Sequence, residues 1–178
     1  MNNNFVLMAQ YNEWMNAKIY ATAGELSEAD LAAPRGAFFG SILGTLNHIV
    51  VGDRIWLRRF AAHPSGYSAL APMIDLQPPS ALSQILYTDL NELAEHRKWL
   101  DQIILDWAGS ISDRDQNHIL RYTTTKGIAN AKRFGDLVIH FFNHQTHHRG
   151  QVTTLLHQAG NDVGVTDLLM LIPNAQSA

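Results

Sequence analysis

Histidine is concentrated in one short segment of this 178-residue chain. Four of the nine histidines lie within nine consecutive residues, at His140, His144, His147 and His148. On a helix, residues four apart share one face, with their Cβ atoms about 5 to 6 Å apart. Two imidazoles at that separation can bind one metal ion at about 2.0 to 2.1 Å. The spacing therefore predicts a metal-binding pair, and both His140 with His144 and His144 with His148 have it.

The apolar pattern of the same segment favours His144 and His148. At about 100° per residue, these two positions fall on the apolar face of the predicted helix. The apolar residues nearest to them in this projection are Leu137, Phe141 and Leu155. His140 and His147 lie toward one edge of that face, and the sequence leaves their roles open. The segment has no Glu in the arrangement of the His-Glu-x-x-His protease motif.

A third ligand has to come from another part of the chain, and His48 is the candidate. Its face of the predicted helix carries mainly small residues, among them Ser41, Gly44, Thr45 and Gly52. Small side chains beside an inward histidine leave room for an ion, a water molecule and part of a substrate. A single histidine on an apolar face is more often a hydrogen-bonded core residue, and this alternative stays open for His48.

Two polar residues beside the histidine pair are candidates for binding substrate or ligand. Arg149 is expected either to bind an anionic group of a substrate or to pair with a carboxylate. Gln151 is expected to hydrogen-bond a metal ligand or a water molecule. In the second helix, Asp53 and Arg54 are predicted to form an exposed charge pair or one at the rim of the cavity.

The other histidines and several aromatic residues have simpler interpretations. His63, His96, His118 and His157 are predicted to be solvated surface residues. Aromatic side chains at helical spacing either line a binding cavity or, more often, belong to the core. The residues in question are Tyr11, Trp14, Trp56 and Trp99.

These residues must be positioned by helices, because the apolar residues repeat mainly at three- and four-residue steps. We predict four long helices, over residues 5–24, 41–62, 81–108 and 135–159, with Ser41 and Ser80 as caps. Residues 119–125 are rich in β-branched side chains and predict a short extended segment or hairpin. Residues 166–172 are expected to form one more short helix.

The predicted architecture is an all-α four-helix bundle with a short extended or hairpin insertion before the last long helix. Residues 1–178 are expected to form a single domain, since a chain of this length can bury one core. The loops are long enough for a crossover connection, so the sequence alone leaves the order of up and down helices open.

Composition excludes several classes of function. Thirteen Lys and Arg stand against sixteen Asp and Glu, a net charge of −3, which gives no electrostatic basis for binding nucleic acid. The apolar stretches are too short to span a membrane, and the start of the chain lacks a signal peptide, so a cytoplasmic protein is expected. The chain has no cysteine, so any metal is bound through nitrogen and oxygen, and any reacting thiol must be a substrate.

Three motifs in a fixed order resemble the DinB family of damage-inducible proteins. They are Tyr-Asn-x-Trp-Met-Asn at residues 11–16, Gly-Thr-Leu-Asn-His-Ile with Gly-Asp-x-x-Trp at residues 44–56, and Asn-His-Gln-Thr-His-His-Arg-Gly-Gln at residues 143–151. The resemblance implies a four-helix bundle of up-down-down-up topology, usually a homodimer. It also implies a divalent metal bound by one histidine of the second helix and an H-x-x-x-H pair of the last, which fall on His48, His144 and His148.

The resemblance defines the metal site more closely than the reaction. Relatives in the wider superfamily include thiol-dependent S-transferases, so the expected function is a thiol-dependent S-transferase-like activity on a small electrophilic substrate. The expected cofactor is Zn or Ni, with Fe or Mn as alternatives, and a low-molecular-weight thiol would be the co-substrate. The alternative functions are a metal-dependent hydrolase and a non-catalytic metal-binding stress-response dimer.

Overall fold

A computed structural model of the chain describes residues 4–174 and is mainly helical. Its α-helices are α1 (Asn4–Ala23), α2 (Glu28–Ala32), α3 (Ile42–Phe60), α4 (Pro72–Asp75), α5 (Leu90–Ser110) and α6 (Phe134–Gln158). Its strands are β1 (Ile119–Thr123) and β2 (Ala129–Arg133), and its 3-10 turns are Ser68–Leu70, Asp115–Asn117 and Leu168–Leu171. The prediction of a mainly helical protein is confirmed.

The four long helices pack around one core. Helix α1 packs against α5 and α6, and α3 packs against the same two helices. An aromatic group fills part of the interior, where Phe60 stacks on Trp107 with ring centroids 5.0 Å apart. Phe134 and Phe141 meet the edges of these rings. Burial of this apolar surface provides the main driving force for packing the helices.

Three of the predicted long helices agree with the observed bounds to within two residues. Helix α3 begins where the sequence indicates, because the Ser41 hydroxyl accepts a hydrogen bond of 3.0 Å from the Gly44 amide. This contact satisfies one of the backbone donors that a helix start leaves without a partner. The predicted short helix at residues 166–172 is the 3-10 turn Leu168–Leu171.

The start of the third long helix was predicted wrongly. Helix α5 begins at Leu90 rather than at residue 81, and its cap is Asp89 rather than Ser80. The Asp89 carboxylate accepts from the Glu92 amide at 2.9 Å. Leu82 and Ile85, which the periodicity assigned to an apolar helical face, are about half exposed, at 49% and 47%.

The segment before α5 is a loop because a side chain of α3 binds its backbone. The Asn47 amide oxygen accepts hydrogen bonds from the backbone amides of Leu86 and Tyr87, at 2.8 and 3.0 Å. The Asn47 amide nitrogen donates to the Tyr87 carbonyl at 3.0 Å. These contacts take up backbone groups that a helix would pair internally, so the segment lies along α3 instead.

The insertion before α6 is a two-stranded antiparallel hairpin. Strand β1 pairs with β2 in a register that places Ile119 opposite Arg133. Gly127 takes a positive φ of 79° in the connecting turn, a conformation that glycine adopts without steric cost. The amide of Phe134, the first residue of α6, donates to the His118 carbonyl at 2.8 Å, so the hairpin leads directly into the last helix.

Polar side chains from all four long helices are buried together in the bundle. This buried polar cluster consists of Asn12, Asn16, Asp53, Arg97, Asp101, Gln145 and Arg149. Arg97 donates to Asp53 and forms an ion pair with Asp101, with an N–O distance of 3.0 Å. Asn12 and Asn16 donate to the same Asp101 oxygen, at 2.8 and 2.9 Å.

The buried polar cluster balances its own charge. Its charged members are Asp53 and Asp101 with Arg97 and Arg149, so the cluster has no net charge if all four are ionised. Burial disfavours the charged guanidinium of Arg97, but Asp101 and Asp53 outweigh that effect and raise its pKa. Asp53 therefore has a buried partner on another helix, and the prediction that it pairs with Arg54, exposed or at the rim of the cavity, is wrong. Arg54 donates instead to the Gln77 carbonyl at 2.8 Å.

Replacing Arg97 by methionine tests the contribution of this cluster to stability. Arg97→Met leaves two buried carboxylates without their cation, and we expect the free energy of unfolding to fall by about 3 to 5 kcal/mol. Lys98→Met is the matched control, because Lys98 forms an exposed pair with Glu95, and its loss should cost at most about 1 kcal/mol. Urea unfolding followed by tryptophan fluorescence measures both, and equal losses would contradict the assignment.

Candidate metal centre

The fold brings three histidines together between α3 and α6. His48 lies on α3, and His144 and His148 lie one turn apart on α6. One ring nitrogen from each lies within 4.8 Å of the other two. His48 and His148 are buried, and His144 is partly buried. The three residues that the sequence singled out thus share one site.

Hydrogen bonds to the outer ring nitrogens orient two of these histidines. Nδ1 of His48 lies 2.8 Å from the Leu82 carbonyl oxygen, and Nδ1 of His148 lies 2.7 Å from Oε1 of Gln151. Both partners are acceptors, so each Nδ1 carries the proton and donates. The Nε2 atom of each ring is then unprotonated, and its lone pair faces the other histidine.

The distance between these two Nε2 atoms fits a shared cation. They lie 3.1 Å apart, and two facing lone pairs at that separation repel each other. Two nitrogens bound at about 2.0 to 2.1 Å to a tetrahedral ion are roughly 3.3 Å apart. Neutral imidazoles are suitable ligands for Zn²⁺ and related divalent ions. The donor set and its spacing therefore suit a divalent metal.

His144 is placed by its fit against a glycine. A Cβ atom at Gly52 would lie 2.8 Å from Cε1 of His144, which is closer than carbon atoms approach in proteins. Only glycine lets the imidazole pack against α3 at this point. The ring centroid of His144 is then 4.4 Å from that of His148 and 5.2 Å from that of His48.

Phe39 covers one side of the site, and the sequence analysis did not identify it. Its ring stacks on His48 with centroids 3.6 Å apart and meets the edge of His148 at 5.5 Å. Phe39 lies in a tight turn flanked by Gly36 and Gly40, both at positive φ. These two glycines directly before the Ser41 cap were the signal in the sequence for a turn that approaches the start of α3.

Burial keeps the three imidazoles neutral. It lowers the pKa of His144 to about 3, and the nearby imidazoles of His148 and His48 add to this effect. Burial also lowers the pKa of His48 and that of His148, although hydrogen bonds to Leu82 and Gln151 partly oppose it. At neutral pH each imidazole is therefore uncharged and keeps one unprotonated ring nitrogen, the state that a metal ligand requires.

Two further histidines of α6 lie beside the site. The ring of His140 is 6.1 Å from that of His144 and 5.1 Å from that of Trp56. His147 is exposed, and its Nε2 lies 3.3 Å from Nε2 of Gln151. Gln151 thus contacts both His147 and His148.

The prediction that the remaining histidines are solvated surface residues is wrong for His63, and only His157 fits it fully. His63 is only 4% exposed and lies against the aromatic rings of Tyr67 and Phe134. His96 and His118 are partly buried, and burial lowers the pKa of His96 to about 4. His157 is exposed, as predicted.

The aromatic candidates differ in their relation to the site. Among them, Trp56 contacts His140 at the edge of the site. Tyr11 is buried, and its hydroxyl donates to the Thr166 carbonyl at 2.7 Å. Trp99 is 38% exposed, and Trp14 stacks with Lys18.

Arg149 is not placed to bind an anionic substrate. It is 2% exposed and donates to the amide oxygen of Asn12 and to the Thr146 hydroxyl. Burial lowers the pKa of Arg149 to about 10, so the guanidinium is still charged at neutral pH. Its position next to His148 in the sequence suggested a role in the site, but on the helix it projects toward α1 and belongs to the buried polar cluster.

Comparison with known proteins identifies the family of the chain. The chain belongs to the DinB family, whose sequence model matches residues 1–177. Protein DinB of Bacillus subtilis (strain 168) is 26% identical over 160 residues, which cover 89% of this chain and 87% of the relative. No solved structure was found that matches the chain. None of the helices in residues 4–174 has the length and apolar character needed to cross a membrane.

Substitution of Gly52 tests the fit between α3 and His144. In Gly52→Ala the new methyl group must displace the imidazole, and we expect divalent metal affinity to fall at least about 10-fold. Gly109→Ala is the control, because a Cβ there meets no atom within 4 Å. Competition titration with a chromophoric chelator measures both affinities. An unchanged affinity in Gly52→Ala would show that His144 is not a ligand.

Proposed function

We propose that this protein is a divalent-metal-dependent enzyme with His48, His144 and His148 as ligands. The observation that carries the proposal is the distance of 3.1 Å between Nε2 of His48 and Nε2 of His148, two atoms that both face each other with lone pairs when the Nδ1 atoms carry the protons. Zn or Ni is the proposed ion, with Fe or Mn as alternatives, because all-imidazole sites accept several divalent metals. The proposal includes a homodimer of cytoplasmic, up-down-down-up bundles, as the family resemblance implies.

The proposed reaction is transfer of a low-molecular-weight thiol to a small electrophilic substrate. The chain has no cysteine, so the nucleophilic sulfur must arrive with a co-substrate. The thiol sulfur would form a bond to the electrophilic carbon, the leaving group would depart with its electron pair, and the thiol proton would pass to solvent. A bound divalent ion supplies this chemistry by lowering the pKa of a thiol or water molecule.

The residues around the histidines prepare the site for that ion. Leu82 and Gln151 hold protons on Nδ1 of His48 and His148, which leaves both Nε2 atoms free to coordinate. Such outer hydrogen bonds also fix the ring orientation and raise the basicity of the ligand. Phe39 covers one face of His48 and excludes water there. Hydrolysis with water as the nucleophile is the alternative reaction for the same site.

A second candidate function is a non-catalytic metal-stabilised stress-response dimer. The observation that favours it is the placement of the ligands on two different helices, since a shared ion would link α3 to α6. Metal binding free energy then adds to the free energy of folding. The two functions differ in what the loss of a ligand does to turnover.

Removing one ligand tests metal binding. We expect about one divalent ion per chain in the purified protein, and we expect His148→Ala to lose it because two imidazoles bind far more weakly than three. His157→Ala is the matched control, an exposed histidine on the same helix, and should keep the ion. Elemental analysis measures both. Protein without stoichiometric metal that also takes up none near neutral pH would contradict the ligand assignment.

The same pair of variants separates the two functions. For an enzyme, His148→Ala abolishes thiol conjugation or ester hydrolysis measured over a panel of electrophiles and esters, whereas His157→Ala retains it. A His148→Ala protein that only melts at a lower temperature, with every activity in the panel unchanged, would exclude the catalytic proposal and favour the structural dimer.

The lowered pKa of His144 predicts a pH dependence of the metal-free protein. The unfolded chain protonates this histidine near pH 6.5, whereas the folded chain does so at about 3. Between these values the unfolded state binds more protons, so stability is complete above about pH 6.5 and falls as the pH is lowered. Urea unfolding at several pH values between about 6.5 and 5 measures the slope, to which His144 contributes about one proton.

Alanine substitutions identify the group responsible. His144→Ala should make the pH dependence shallower by about one proton, and His157→Ala should leave it unchanged, because His157 is exposed in the folded protein. Equal slopes in the parent protein and His144→Ala would mean that His144 is not kept neutral by burial.

A further inference from the structure

A cleft rich in arginine lies between α3, the loop before α5, and β1. It has a volume of about 620 Å³, and three of its lining residues are Arg58, Arg59 and Arg121. No aspartate or glutamate lines it, although the whole chain carries a net charge of −3. A cleft with charge of one sign concentrates its field and attracts ligands of the opposite sign. We call it the arginine cleft.

The arginines of this cleft have no anionic partner in the part of the chain that the structure describes. None of the ion pairs among residues 4–174 involves Arg58, Arg59 or Arg121. Burial lowers the pKa of Arg59, as expected for a partly buried cation without a carboxylate beside it. By contrast, the buried Arg97 is paired with Asp53 and Asp101. The arginine cleft therefore carries positive charge that the fold itself does not neutralise.

Two of the three guanidinium groups are held in fixed positions. Arg59 packs over the rings of both Trp56 and Tyr122, at 4.6 and 4.8 Å from their centroids, and donates to the Thr123 carbonyl at 3.1 Å. Arg58 donates to the backbone carbonyls of Met73 and Ile74 in α4 and of Leu76 directly after it. A pre-ordered guanidinium loses less conformational entropy when it binds a ligand.

Arg121 is the third member of the set. It is exposed on β1, directly before the Tyr122 ring that stacks on Arg59. The arginine cleft is also lined by the hydroxyl-bearing residues Ser80, Thr123, Thr124 and Thr125. Guanidinium and hydroxyl donors without carboxylates are the usual surroundings of a bound carboxylate or phosphate.

The arginine cleft shares a wall with the three-histidine site. Leu82 lines the cleft, and its carbonyl oxygen is the acceptor for Nδ1 of His48. On the other side, Trp56 stacks on Arg59 and contacts His140, which lies beside His144. The arginine cleft therefore lies next to the three-histidine site.

We propose that the arginine cleft binds the anionic group, a carboxylate or a phosphate, of the small molecule that reacts at the three-histidine site. The inference rests on the proposed function and narrows its substrate class to anionic molecules. The sequence suggested Arg149 as the residue that binds an anionic group of a substrate. The proposal assigns this role to Arg59 and Arg121 instead, which are far from His148 in sequence.

Binding of simple anions to the metal-loaded protein tests the proposal without any turnover. Succinate and inorganic phosphate are the two probes, and the neutral dimethyl ester of succinate is the negative control. We expect one or both anions to bind at millimolar concentration, more weakly as salt is added, and the ester not to bind. The anion that binds more tightly shows whether the cleft takes a carboxylate or a phosphate.

Paired variants locate the binding. In Arg59→Gln combined with Arg121→Gln we expect affinity to fall at least about 10-fold, since two charge-assisted contacts are lost. Arg114→Gln combined with Lys98→Gln changes the net charge equally, at exposed positions outside the cleft, and should change affinity less than about 2-fold. The single variant Arg121→Gln leaves the contacts of Arg59 with Trp56 and Tyr122 intact. A loss of anion affinity in this variant therefore does not come from a folding defect at Arg59.

The outcomes separate this inference from the proposed function. Absence of anion binding in a protein that holds its metal overturns the arginine cleft alone, and so does equal weakening in the two double variants. Anion binding that requires Arg59 and Arg121, in a chain that takes up no metal, supports the cleft as an anion site and overturns the metal-dependent reaction. Calorimetry for the anions and elemental analysis for the metal give independent readouts.

Discussion

The contact between Arg97 and Asp53 is the constraint on which the rest of the structure depends. Asp53 also accepts a hydrogen bond of 2.9 Å from Gln145, so one buried carboxylate links α5, α3 and α6. The neighbours of these residues in sequence are Gly52 and His144, the two that pack against each other at the three-histidine site. Because a buried ion pair tolerates little displacement, the buried polar cluster fixes the position of α3 along the axis of α6. The geometry of the three histidines follows from that alignment.

A second constraint acts one turn earlier on α3. Asn47 and His48 are adjacent, and both bind the same loop, Asn47 through two backbone amides and His48 through the Leu82 carbonyl. The loop is therefore part of the surroundings of the three-histidine site, although its apolar residues repeat like those of a helix. The periodicity of the segment could not reveal this, because the competing hydrogen bonds come from side chains more than thirty residues away in sequence.

Prediction from the sequence worked where the chemistry was local. The spacing of His144 and His148 and the small residues around His48 indicated a shared site, because helical geometry follows from sequence separation alone. It failed for Arg149, since the direction of a side chain depends on which helix packs beside it. Arg59 was missed for the same reason: the hairpin and loop that complete its cleft are distant in the chain. Tertiary contacts of this kind leave no periodic signal.

The charge balance of the buried polar cluster also has a consequence for how the bundle opens. Each of the four long helices contributes a member, so the separation of any one of them strips hydrogen bonds from buried charges on the others. Separation of one helix at the level of the buried polar cluster therefore costs as much free energy as complete opening of the bundle. Amide protons near the middle of all four helices should thus exchange with solvent together, as one cooperative unit, while the hairpin and the outer loops exchange independently.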